Sequence, residues 1–215
     1  MATQPTKIST REIRVPKQAR SRRTRERTLA AAATCFEELG YDETTTAEIA
    51  RRAGIAVGSV YDYFTDKRAI LLEVLRGTIE EVVDIVVAGL APEAWLDTDP
   101  HVTVRKLVHQ VFYARRVNPG LQRILWERFF KDPEVRASTE AIEEHVQGAL
   151  ENTLTELQAA GRLRIEDIKT AAFVIQLSIE WVSSRLLLGV EGVDIDDAVD
   201  TASDMVSRFL FKDVE

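Results

Sequence analysis

Side chains able to do covalent or metal chemistry are few in this chain of 215 residues: one cysteine, Cys35, and three histidines. His101 and His109 stand eight positions apart, about 12 Å along a helix, which is too far to share a metal ion. His145 has only Glu143 and Glu144 beside it, and solvent exposure is its expected fate. No Gly-rich phosphate loop, HExxH segment or cysteine pair is present, so the usual routes to nucleotide, zinc or redox chemistry are missing. Cys35 falls next to Phe36 on the core side of the first helix, which reads as an inert buried thiol rather than a redox sensor. Nothing here points to an enzyme, and no cofactor is expected.

A second set of side chains suits a polyanion instead. Residues 1–28 hold nine Lys/Arg against two acids, and residues 1–68 still sum to +4. Since the whole chain is −7, residues 69–215 carry −11. A basic head on an acidic body draws a duplex to one end and repels it from the other. The alternative is a solvated basic tail of no specific role. A lone cysteine fits a reducing compartment. Residues 1–28 have no apolar core of a secretory signal. The longest uncharged apolar-rich stretch, Thr170 to Ile179, is half the length a membrane span needs. A cytoplasmic protein with no membrane partner is expected.

The elements that must hold these groups read as all-α. Residues 1–18 contain Pro5 and Pro16 and no periodicity, giving a flexible basic arm assigned to residues 1–20. From about Ser21, Leu29, Ala33, Phe36 and Leu39 recur at helical spacing, and Gly40 ends the pattern. Thr45-Thr46-Ala47-Glu48 matches a capping box for a short second helix closed by Gly54. Val57 to Phe64 gives a short third helix with Val60 and Phe64 one turn apart. Thr65 is expected to cap a fourth that runs to about Val87. Short helices joined by the turn Ala53-Gly54-Ile55-Ala56 are helix-turn-helix architecture, or else a plain structural corner. Further helices are read at 102–117, 120–131, 133–160, 166–190 and 194–211, broken at Asn118-Pro119-Gly120, Asp132-Pro133, Gly161 and Gly189 to Gly192. The domains are then a helix-turn-helix unit at 21–66 and a larger helical unit at 67–215.

Residues 22–71 resemble the DNA-binding domain of the TetR family of transcriptional regulators. The resemblance rests on Thr44-Thr45-Thr46-Ala47-Glu48-Ile49-Ala50, Ala53-Gly54-Ile55, Gly58-Ser59-Val60-Tyr61-Asp62-Tyr63-Phe64, Lys67 and Leu71. One departure is Ala56, where the family often has Ser or Thr. Loss of that cap costs about 0.5–2 kcal/mol, so packing by Ile55, Val60 and Phe64 must hold the third helix.

The resemblance implies that the 57–64 helix enters the major groove of double-stranded DNA. Val57 would then pack on a thymine methyl, Gly58 would permit close approach, and Ser59 would bond a base edge. Tyr61, Tyr63 and Lys67 are expected at phosphates, with Thr46 at another from the positive end of its helix. Arg22, Arg23 and Arg25 would reach the backbone or the minor groove. Tyr61 has partial burial as its alternative, and Asp62 is expected to face water.

For the larger unit, the family implies a small-molecule effector and a homodimer. The expected ligand contacts are Phe112, Trp126, Phe129, Phe130 and Gln176, with core filling as the alternative for the aromatics; Gln176 and Glu180 would either orient a ligand or lie in the interface. Residues 166–211 would form the dimer interface, because Ala171 to Leu188 is apolar on more than one face and must be covered on each; the alternative is a monomer in which that helix is fully internal. Two recognition helices about 34–36 Å apart would fit a palindromic operator. An effector that displaced the 66–87 helix would change that spacing, as in a repressor released by ligand. A ligand-independent DNA-binding or architectural protein is the alternative.

Overall fold

A computed structural model describes residues 19–96, 98–114 and 116–212. They form ten helices: α1 Ala19–Glu43, α2 Thr46–Ala53, α3 Val57–Val60, α4 Lys67–Gly89, α5 Glu93–Leu96, α6 Pro100–Ala114, α7 Pro119–Lys131, α8 Pro133–Ala159, α9 Ile168–Leu187 and α10 Ile195–Leu210. Among the described residues there is no strand, only an isolated antiparallel bridge between Leu163 and Phe211. No described helix is long and apolar enough to cross a membrane. The expected arm falls largely on residues 1–18, outside the described residues.

The chain divides into two units, at Leu75 and Arg76 rather than at residue 66. The reason is that the first turns of α4 bury Ile70, Leu71, Val74 and Leu75 as part of the N-terminal core. On α1 the buried stripe is Thr28, Ala32, Cys35 and Phe36, offset by a residue from the expected one, and Leu39 is left exposed. The hydroxyl of Thr28 donates to the Thr24 carbonyl at 2.8 Å, which lets a polar residue sit in that stripe. Gly40 breaks α1 with φ +77°, a value β-carbon sterics make costly for other residues. Asp66, not Thr65, caps α4: its Oδ1 accepts from the Ala69 N–H at 2.8 Å.

In the C-terminal unit the helix starts follow local chemistry. Pro119 and Pro133 occupy first-turn positions where no N–H is needed. Asp132, Asp167 and Asp194 each accept a backbone N–H one turn in. The short α5 is not legible as a helix from sequence, since only four residues separate Pro92 from the following loop. It nonetheless seats Trp95 in the core, with Nε1 donating to the Gly89 carbonyl at 2.9 Å. That core is built around Val104, Phe112, Leu154, Leu157, Val199 and Phe211. Arg105 pairs with Asp200 at 2.6 Å and the Tyr113 hydroxyl donates to Asp196 at 2.7 Å, tying α6 to α10.

Candidate DNA-binding surface and ligand cavity

The helix-turn-helix is assembled by capping. Thr45 accepts the Glu48 N–H at 3.1 Å, as a capping box requires. Glu48 does not reach back. Its carboxylate takes Arg51 Nη2 at 2.6 Å and Arg52 Nε at 2.9 Å, while Arg52 also reaches Glu38 at 2.5 Å. Those hydrogen bonds hold the Glu48 carboxyl down at about 2. At the other end Gly54 adopts the left-handed conformation, φ +63° and ψ +42°, and its N–H returns to Ala50 and Arg51 carbonyls. The Arg27 guanidinium donates to the Ala53 carbonyl beside it. Beyond the turn, α3 starts at Val57 after Ala56, which makes no side-chain cap. It ends at Val60, the chain then passing through a turn to Phe64, so the regular helix is half as long as expected. Val60 and Phe64 are buried.

That leaves an outward face. Val57, Gly58 and Tyr61 are exposed, and Ser59, Asp62 and Tyr63 are half-buried. Nothing lies within 4 Å of where a Cβ on Gly58 would stand. The Tyr61 and Thr46 hydroxyls lie 3.0 Å apart, joining α2 to the end of α3. Tyr63 shares a 3.0 Å hydrogen bond with Ser21 on α1. Arg22 and Arg23 are exposed on the first turns of α1.

Two expected DNA contacts are engaged within the fold. Arg25 pairs with Glu73 and lies over the Phe64 ring, 5.4 Å from its centroid. Lys67 Nζ donates to the Tyr41 carbonyl at 2.6 Å and the Asp42 carbonyl at 3.1 Å, and sits 4.3 Å from the Tyr41 ring centroid. Both side chains brace α1 against α4, and a phosphate would have to compete with those partners. The sequence displays their charge and not their acceptors.

In the C-terminal unit a cavity of about 160 Å³ opens among α4, α6, α7, α8, α9 and α10. Its wall is aliphatic, with Ile79 and Val83 from α4, Val108 from α6, Leu125 from α7 and Leu150 from α8 among its residues. Gln176 and Glu180 line it, while the expected aromatics do not. Phe112 is a core residue, 2 % exposed. Trp126, Phe129 and Phe130 form a separate patch in which Trp126 stacks on Trp181 at 5.1 Å and Phe130 is 63 % exposed. The buried stripe of α7 is Leu121, Gln122, Ile124 and Leu125, which turns the aromatic end of that helix away from the cavity. Gln122 is absent from the expected contacts, yet it lines the cavity and is buried. An aliphatic wall carries no sequence signal separate from a filled core.

Among the described residues, no group of three His, Cys, Asp or Glu side chains could hold a metal. Cys35 is fully buried, and burial raises its thiol pKa.

Residues 29–74 match the domain family described as bacterial regulatory proteins, tetR family, and residues 99–210 match the tetracyclin repressor-like C-terminal domain. The chain belongs to the TetR family. It is 30 % identical over 199 residues to the HTH-type transcriptional regulator TtgR of Pseudomonas putida, covering 85 % of this chain and 91 % of that protein. The fold is similar to that of a TetR-family regulator of Mesorhizobium loti, with TM-score 0.75, 20 % identity, and 88 % and 95 % of the two chains covered. It is also similar to SmeT, the repressor of the Stenotrophomonas maltophilia multidrug efflux pump SmeDEF, with TM-score 0.68, 24 % identity, and 89 % and 93 % covered. This TetR-family chain is therefore a helix-turn-helix transcriptional regulator, and its relatives are regulators rather than enzymes.

Proposed function

We propose that this regulator is a homodimeric repressor that leaves a palindromic operator when a small, largely apolar effector fills the cavity of its C-terminal unit. The observation that carries the reading is the outward face of α3, where Val57, Gly58 and Tyr61 are exposed around a glycine with open space beside it. Ser59 on the same helix supplies the hydroxyl for a base edge, and Thr46, Tyr63, Arg22 and Arg23 surround it with groups suited to phosphate. The relatives named as HTH-type regulators, and the fold shared with an efflux-pump repressor, support occupancy of a promoter as the mode of action.

Dimerisation follows from apolar surface that a single chain leaves uncovered. On α9, Phe173, Val174, Leu177, Trp181 and Val182 are exposed, and on α10 so are Met205 and Phe209. Exposed apolar side chains of this kind on two helices call for a partner surface, and a second copy supplies the same one. The link from effector to DNA is α4. It gives Ile70, Leu71, Val74 and Leu75 to the N-terminal core and Ile79, Val82, Val83 and Val86 to the cavity wall. A ligand that favours one placement of that helix changes DNA affinity by its differential affinity for the two states.

The test is operator binding with Val57→Ala, Ser59→Ala and Tyr61→Ala, each checked for folding. Loss of specific binding with retained helicity supports the reading, and wild-type binding in all three refutes it. The cavity favours an effector-controlled repressor over a ligand-independent architectural role, which would predict that filling the cavity leaves DNA affinity unchanged.

A further inference from the structure

The polar atoms in the cavity wall fall into two groups. Donors whose bonds are seen are already committed to backbone carbonyls. Trp95 Nε1 donates to Gly89 at 2.9 Å, the Thr139 hydroxyl to Val135 at 2.9 Å, and Gln176 Nε2 to Glu143 at 3.1 Å. The Thr153 hydroxyl reaches the Ala149 carbonyl at 3.0 Å and also the Leu90 carbonyl. The acceptors on the same wall are a different matter. Gln122 Oε1 and Gln176 Oε1 are both buried and have no hydrogen-bond partner among the described residues. A buried acceptor without a donor is unfavourable and marks a place where a partner is missing. Glu143 and Glu180 add carboxylates to the lining, and no Lys, Arg or His among the described residues lines the cavity.

We infer that the effector of this regulator is an apolar molecule with a hydrogen-bond-donating, positively charged head, an alkylamine or arylalkylamine rather than a carboxylate. This rests on the reading of the cavity as the effector site. The aliphatic wall takes the apolar body, and a volume of about 160 Å³ matches cavities that hold a benzene-sized ring. An ammonium head supplies three donors and no acceptor, as a lysine does, which suits a wall whose unpaired polar atoms are acceptors. Its charge is favoured by the acidic lining. A carboxylate head would bring only acceptors to a wall of acceptors and would be desolvated beside like charge.

Three probes with one benzyl body separate these outcomes: benzylamine, benzyl alcohol and phenylacetate. At pH 7 the amine is protonated, because alkylamines titrate at about 10.4. Calorimetric titration of the full-length protein should give amine binding at least tenfold tighter than the alcohol, with the carboxylate weakest. Gln176→Met, close in volume, should lower the amine's advantage over the alcohol at least threefold. The pair Glu143→Gln and Glu180→Gln should lower it further without changing the alcohol's affinity. Carboxylate binding equal to the amine's, no binding by any probe, or an unchanged amine-to-alcohol ratio in both variants overturns the inference. Operator binding measured on the same samples keeps the two readings apart. Release of DNA by the carboxylate leaves the repressor standing and removes the amine, whereas amine binding by a protein that recognises no operator does the reverse.

Discussion

A methyl group added at Gly58 would meet nothing within 4 Å inside the chain, and the residue is the second of the four in α3. Its backbone needs no left-handed conformation. Alanine there should be favourable for the fold, because a helical glycine is less stable than alanine by about 0.5–1 kcal/mol. For a chain of this length that raises the melting temperature by about 1–4 °C. The same methyl stands on the face proposed to meet the duplex. Overfilling a close-packed contact costs about 1–3 kcal/mol, and a dimer would incur it at both half-sites. At about 1.4 kcal/mol per tenfold, the lower bound for two helices, about 2 kcal/mol, corresponds to roughly a 30-fold loss of affinity. Thermal unfolding and fluorescence anisotropy with a labelled operator, run on the same preparation of Gly58→Ala, measure both sides. A protein that melts higher and binds at least 30-fold more weakly is expected. Wild-type affinity in a variant of raised stability would refute the close approach of α3 to DNA.

Three other outcomes follow from particular side chains. Thr45→Ala removes the acceptor for the Glu48 N–H and should destabilise the N-terminal unit by about 1 kcal/mol in urea unfolding, with Thr45→Ser restoring most of it. Glu48 titrates at about 2 in the folded chain against an ordinary 4.5. Its depressed pKa gives stability that is present above about pH 4.5 and is lost as pH falls towards 2. The acid limb of the stability curve should therefore be shallower in Glu48→Gln. Trp181→Asp places a charge on the exposed apolar face of α9 and should shift sedimentation from dimer to monomer. An unchanged dimer would move the interface elsewhere.

Much of the N-terminal unit is legible in the sequence because its signals are local. The Thr45 cap, the Gly54 turn and the spacing of Val60 and Phe64 each act within a few residues, and each is found in place. What cannot be read there depends on partners distant in sequence. Arg25 meets Glu73 and Lys67 meets carbonyls at 41 and 42, so basic residues expected at phosphates serve inside the fold. The register of α1 differs from expectation for a related reason. Thr28 is polar by type yet buried, its hydroxyl satisfied by the preceding turn. In the C-terminal unit, proline and aspartate starts and glycine stops outline the helices, but aromatic residues are a poor guide to the cavity. Trp126, Phe129 and Phe130 are the conspicuous side chains of α7, and they gather around Trp126 where it stacks on Trp181 instead. Valine, isoleucine and leucine line a void and fill a core at the same spacing, so the difference exists only once the helices are placed.

Whether α3 reads a specific duplex as one of a symmetric pair can be measured by selecting bound sites from a random duplex pool with the purified protein, then titrating the winning site with salt. A palindrome with half-sites about one duplex turn apart is expected, with an affinity that falls linearly in log–log form with salt. Replacing exposed Arg22 and Arg23 by alanine should make that slope shallower by about one for each phosphate no longer neutralised. No enriched site, together with a slope near zero, would contradict DNA reading by α3.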